Sequence, residues 1–204
     1  MISIVNYGLG NIDAIAHIYK RLRLPVTLAS TPDDLCAADK IILPGVGAFD
    51  RAMTRLLESG MKDALDEAVL TQRKPVLGIC VGMQMMARRS NEGVLQGLGW
   101  IDADVKKFDF SKETEKTRLP HMGWNDVKPY RSDDLFKSLD SSARFYFLHS
   151  YYFSARDQAN VLAVTDYNGL YASSVSAGNI FGVQFHPEKS HQWGIQLLKN
   201  FAEI

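Results

Sequence analysis

Cys80 stands between two glycines in Gly78-Ile79-Cys80-Val81-Gly82-Met83-Gln84, with Pro75-Val76-Leu77 leading into it. That apolar run is too short for a helix and suits a buried strand. Residues 83–89 carry apolar side chains on one side, with Arg88 and Arg89 near the end, and predict a helix. Strand, glycine-flanked nucleophile and helix make a nucleophile elbow, here with Cys in place of Ser. The turn is sharp, so only small flanking residues let strand and helix pack closely. A Cys at a helix N-terminus meets free N–H groups and the positive end of the dipole, which favour thiolate over thiol. The same stretch also fits a buried structural Cys in an α/β core.

A second group closes the last expected strand, Val183-Gln184-Phe185-His186-Pro187-Glu188. In extended backbone His186 and Glu188 point the same way, because side chains alternate. Pro187 stiffens the link between them. A carboxylate beside an imidazole selects its tautomer and stabilises the imidazolium, and a Cys within reach becomes an activated nucleophile. Alone, His-Pro-Glu is equally a surface turn; the elbow makes it the rest of a triad.

The elements that must position these groups follow from periodicity. Strands are expected at 2–6, 25–30 and 40–43, with Pro75 opening another that ends at Cys80. Between them Ile12, Ile15, Ala16, Tyr19 and Leu22 line one helical face, with Asn11 as its cap. Thr31 and Pro32 start a short helix, and helical patterns follow at about 48–59 and 61–73. Alternating strand and helix argue for a parallel sheet covered on both faces. Ligands in such sheets bind beyond the carboxyl ends of the strands. Three turns lie there: 7–10, Pro44-Gly45-Val46-Gly47, and Cys80 itself. Gly8 and Gly10 lack the third glycine of a dinucleotide fingerprint, because position 13 is Asp, so a tight β–α turn is the better reading.

From residue 99 onward the chain turns strand-rich, at 99–108, 119–130, 143–153, 161–166, 170–175 and 180–185. The charged stretch 109–116 is the expected mobile loop, and Ser190 or His191 begins a last helix with Ile195, Leu198 and Phe201 or Ala202 inward. The expected fold is one α/β domain over residues 1–204. Its mixed, mostly parallel central sheet is flanked by helices, with a strand-rich second half.

Composition narrows the function. Lys plus Arg and Asp plus Glu are both 23, so the formal charge is zero and neither nucleic acid nor an anionic membrane is an expected partner. Two Cys make no disulfide framework. The first residues lack a signal-peptide pattern, and no apolar run spans a membrane, which points to the cytoplasm. His121, His149, His186 and His191 share no metal-binding spacing, and no metal or cofactor is expected. Cys36 is expected to face the core from a helix, and Met83, Met85 and Met86 to pack inside.

The elbow and His186-Pro187-Glu188 together resemble the class I, triad-type glutamine amidotransferases. Four more blocks narrow this: Pro44-Gly45-Val46-Gly47-Ala48-Phe49, Pro120-His121-Met122-Gly123-Trp124-Asn125, Phe145-Tyr146-Phe147-Leu148-His149-Ser150-Tyr151 and Phe185-His186-Pro187-Glu188-Lys189-Ser190. They are similar to the HisH family, the glutaminase subunits of imidazole glycerol phosphate synthase, nearly end to end. Val81 replaces that family's usual Leu, which leaves the backbone role intact, and 109–116 is longer than the family's segment.

The resemblance implies a chemistry. Cys80 attacks the side-chain amide of glutamine, His186 moves the protons and Glu188 orients His186. Backbone N–H groups near Val46 and Val81 form the oxyanion hole, and Gly45 and Gly47 allow the strand to flip to supply its donor. Gln84, Ser150 and Tyr151 hold the amino-acid end of glutamine. Trp124, Asn125, Tyr146 and Lys189 face a (β/α)8-barrel cyclase that receives the ammonia, in a step of histidine biosynthesis. Paralogues of this pattern feed synthases of amidated surface sugars instead. An inactive scaffold conflicts with the intact Cys80, His186 and Glu188. A stand-alone thiol hydrolase conflicts with the 120–125 and 145–151 blocks.

Overall fold

A computed structural model describes residues 1–109 and 118–204, so most of the expected 109–116 loop lies outside the described residues. Strands β1 (Ile2–Val5), β2 (Val26–Ala29), β3 (Lys40–Gly45) and β4 (Val76–Cys80) alternate with helices α1 (Ile12–Arg21), α2 (Pro32–Cys36), α3 (Phe49–Glu58) and α4 (Lys62–Asp66). Helix α5 (Val81–Met85) follows β4 without a break. The second half contributes β5 (Arg89–Ser90), β6 (Ala103–Lys107), β7 (His121–Asp126), β8 (Lys128–Pro129), β9 (Arg144–His149) and β10 (Tyr151–Ala155). Strands β11 (Val161–Asp166), β12 (Leu170–Ala177), β13 (Ile180–Val183) and helix α6 (His191–Glu203) complete it.

The main sheet runs β2-β1-β3-β4-β13-β12-β10-β6-β5, with β11 and then β8 branching from β12. Its first five strands are parallel, and β12, β10 and β6 continue it antiparallel. Strands β1, β4 and β13 are buried at every residue, as an apolar run covered by helices on both faces must be. Helix α3 buries Phe49, Ala52, Met53 and Leu56, spaced to fall on one face. Helix α6 buries Gly194, Leu197, Leu198 and Phe201, and Tyr19 of α1 donates a hydrogen bond to the Leu198 carbonyl. Met83, Met85 and Met86 are fully buried, as expected.

Several expectations need correction. Asn11 makes no capping hydrogen bond, whereas Thr31 and Asp34 form a reciprocal capping box at α2. Cys36 is exposed; its neighbour Leu35 takes the inward position. The helix expected over 61–73 gives way after Asp66 to a wider π turn, Glu67–Thr71. The helix expected at 83–89 stops at Met85, because β6 captures the backbone beyond it: Arg88 N–H donates to the Ala103 carbonyl and Arg89–Ser90 pairs with β6. The run expected at 143–153 breaks at Ser150. Its first half, β9, pairs with β7 in a separate two-stranded ribbon, while its second half, β10, joins the main sheet.

Candidate active site

The elbow is built by backbone contact. Cys80 ends β4 and precedes α5 with φ 54° and ψ −112°, a conformation that costs an L-residue roughly 1–3 kcal/mol. A Cβ on Gly82 would sit 1.9 Å from the Leu43 carbonyl oxygen, and one on Gly45 would sit 2.4 Å from the Gly82 nitrogen. The end of β3 and the start of α5 therefore touch backbone to backbone, and only glycine permits that. Gly47 has φ +83° and open space beside it. The turn after β1 joins the same rim, where the Tyr7 hydroxyl donates to the Pro44 carbonyl at 2.6 Å. All three turns expected to share one rim thus do so.

His186 follows β13, and its Nδ1 lies 2.9 Å from Glu188 Oε1, with both side chains almost fully buried. The pair meets across a short 3-10 turn, Pro187–Lys189, rather than along an extended strand. Its other ring nitrogen is left for Cys80, which lines the same pocket and whose charge acts on the imidazole. Burial alone would push the imidazole's pKa down. The charge and hydrogen bond of the Cys80 sulfur, with Glu188 behind, outweigh burial and raise it to about 10.

These groups open into a pocket of about 340 Å³. Of the expected site residues, Val46, Gly47, Cys80, Val81, Gln84, Ser150, Tyr151, His186 and Lys189 line it. Gly45 lies beneath, against Gly82, and Glu188 stands behind His186. Glu92, which no motif marked, is also on the wall, and its carboxylate accepts the Phe49 N–H at the start of α3. The Gln84 amide nitrogen donates to the Tyr151 carbonyl and to Gln184 Oε1, both at 3.0 Å. Both its N–H groups are thereby used, so Gln84 offers a ligand only its amide oxygen.

The β7–β9 ribbon flanks the pocket. Cross-strand pairs Met122–Leu148 and Trp124–Tyr146 form its outer face, where Met122 is 64% exposed. Lys189 Nζ stands over the Tyr146 ring, and Trp124 stacks on His191. Alternation turns Asn125 to the inner face, where it donates to the Asp166 carbonyl and contacts His121. Trp124, Tyr146 and Lys189 are thus neighbours, and Asn125 is not among them.

Pairing also places His121 opposite His149, although they come from segments that sequence treats as unrelated. The Tyr171 hydroxyl lies 3.0 Å from His121 Nδ1 and 3.2 Å from His149 Nε2. His149 Nδ1 donates to the Tyr151 carbonyl. Desolvation lowers the pKa of His121 to about 4 and that of His149 to about 3. Among the described residues no cluster of His, Cys, Asp and Glu suits a metal ion, and no helix is long and apolar enough to cross a membrane.

Comparison with known proteins identifies the family. The family model for class I glutamine amidotransferases matches residues 3–204. Imidazole glycerol phosphate synthase subunit HisH of Bdellovibrio bacteriovorus is 56% identical over 204 residues, all of both chains. The Leptospira interrogans subunit HisH is 46% identical, again over the whole of both. Among solved structures, PurLQS from Thermotoga maritima matches with a TM-score of 0.73 at 18% identity, covering 99% of this chain and 97% of that one. A crystal structure titled glutamine amidotransferase matches with a TM-score of 0.75 at 19% identity over 99% and 97%. The fold is that of these structures, and the full-length relatives make the chain a member of the class I glutamine amidotransferases, in the HisH family.

Proposed function

We propose that this chain is the glutaminase subunit of an imidazole glycerol phosphate synthase, working through a Cys80–His186–Glu188 triad in the cytoplasm. The observation that carries the reading is the buried Cys80–His186–Glu188 chain, opening beside backbone donors into a pocket of about 340 Å³. Cys80 thiolate attacks the γ-amide carbon of glutamine, and the developing oxyanion is held by N–H groups near Val46 and Val81. One such donor supports about 2.7–4 kcal/mol of transition-state stabilisation. His186, as the imidazolium, gives its proton to the departing ammonia and leaves a γ-glutamyl thioester on Cys80. It then takes a proton from water, whose oxygen attacks the thioester carbon to release glutamate and the thiolate. Glu188 keeps Nδ1 occupied throughout.

At the amino-acid end, the free oxygen of Gln84 and the Glu92 carboxylate suit the α-ammonium, while Ser150 and Tyr151 suit the α-carboxylate. The exposed apolar ribbon face, with Lys189 beside it, suits a partner seated over the pocket. That partner is a (β/α)8-barrel cyclase taking ammonia in histidine biosynthesis, consistent with the names of the full-length relatives.

Some relatives carry copy numbers, among them HisH 2 of Pseudomonas aeruginosa at 43% identity and HisH 1 of Campylobacter jejuni at 42%. Numbered copies favour, as a second reading, a paralogue that supplies a surface-sugar amidating synthase. Glutamate release by the purified chain, with and without a barrel cyclase carrying its ribonucleotide ligand, separates the two. Strong stimulation by the liganded cyclase supports the histidine-pathway subunit. No stimulation, with a folded chain and a reactive Cys80, transfers the assignment to the paralogue.

A further inference from the structure

Gln184 sits one residue beyond β13, two before His186, so both side chains share the face that looks at Cys80, while Phe185 between them packs on Phe145. The Gln184 side chain is wholly buried. Its Nε2 lies 3.8 Å from Cys80 Sγ, within reach of an N–H···S hydrogen bond, and its Oε1 accepts from Gln84. The orientation of this amide is dictated from a distance. The Tyr151 carbonyl can only accept, so Gln84 must turn its NH2 that way. The same NH2 demands an acceptor at Gln184, which leaves only N–H groups to face the sulfur.

We propose that Gln184 is a positioning residue for the nucleophile, its amide N–H directing and stabilising the Cys80 sulfur as thiolate beside His186. A burial of a whole amide here would be costly unless both its ends were bonded, and the sulfur is the partner at the nitrogen end. A donor to sulfur favours the charged thiolate over a neutral thioester, because hydrogen bonds to ions are the stronger. Gln184 thereby promotes two events: resting ionisation, and departure of the sulfur when water breaks the acyl-enzyme. This role rests on the proposed one for Cys80. The other titratable groups around that sulfur are His186 with Glu188 behind it and Tyr7 from the turn after β1, with His149, Tyr151, Glu92 and Lys189 on the pocket wall and Tyr171 of β12 behind His149.

The test is the pH dependence of Cys80 alkylation by iodoacetamide in the full chain, with peptide mapping to separate it from exposed Cys36. Gln184→Met removes the donor at similar size. The alkylation midpoint is expected to rise by about one pH unit and glutaminase kcat to fall about tenfold, with KM within about twofold. Gln184→Glu keeps an acceptor for Gln84 but sets oxygen against sulfur, and is expected to shift the midpoint at least as far. Folded variants with the wild-type midpoint overturn the proposal. In the wild-type chain, alkylation of Cys80 is expected to move the Gln184 side-chain amide resonances, and unmoved resonances overturn it without any variant. Wild-type chain that alkylates normally but hydrolyses no glutamine with either a liganded barrel cyclase or a sugar-amidating synthase refutes the glutaminase reading, while the midpoint shift still judges Gln184.

Discussion

Acidification should weaken this fold well before its carboxylates titrate, through His121 and His149. The unfolded chain protonates each imidazole near pH 6.5, whereas the folded chain holds them neutral down to about 4 and about 3. Between those limits the unfolded state binds more protons, so stability falls as pH falls. From pH 7 to pH 5 each group costs about 2 kcal/mol, at 1.36 kcal/mol per unit below 6.5. His186 works the other way: its folded pKa of about 10 adds stability as pH falls towards 6.5 and none further below it, about 1 kcal/mol over the same interval. The net loss is about 3 kcal/mol, a large share of a typical domain's 5–15. Urea unfolding at the two pH values measures it, through the midpoint at constant slope. His121→Gln and His149→Gln remove the titration while keeping a polar side chain, and each should abolish about 2 kcal/mol of the acid loss. A wild-type loss under about 1 kcal/mol, or an undiminished loss in the double variant, would show that the fold does not hold these two imidazoles neutral.

Three further outcomes follow from the site and its supports. Gly82→Ala forces a methyl to within 1.9 Å of the Leu43 carbonyl oxygen, and should destabilise the chain by about 3 kcal/mol or more in a denaturant titration. Cys80→Ser should abolish glutamine-dependent turnover of the synthase while ammonia-driven turnover persists; retained glutamine use would remove Cys80 as nucleophile. Lys189→Ala removes the cation over Tyr146 and should weaken stimulation by the partner with little change in melting temperature, read from glutamate release with and without the cyclase.

Local chemistry was legible wherever one residue type decides the outcome. The glycines at 78 and 82, Pro32 at a helix start, the apolar run at 161–166 and the elbow itself needed no tertiary information. What sequence missed was set by distant segments. Helix α5 ends early because β6 arrives to bond its successor residues, and the strand at 143–153 divides because two sheets compete for it. Asn125 looked like a companion of Trp124, but adjacency on a strand puts the two on opposite faces. Glu92 and Gln184 escaped notice for a related reason. A lone Glu in Asn91-Glu92-Gly93 carries no periodic signal, and Gln184 reads as the ordinary end of a strand until Cys80 and Gln84 fold against it.

The positive φ of Cys80 has a bearing on lineage as well as on reaction rate. At φ 54° every residue with a Cβ is strained, and glycine alone relaxes there. Replacing Cys80 by glycine would therefore end the chemistry and relieve this backbone strain in the same step. A descendant that kept the scaffold but no longer needed the reaction would lose the reason to hold this strained backbone. In a chain of this family, glycine where Cys80 stands would be the mark of a lineage that has retired its nucleophile, and Cys80 held against that pull is the mark of one still using it.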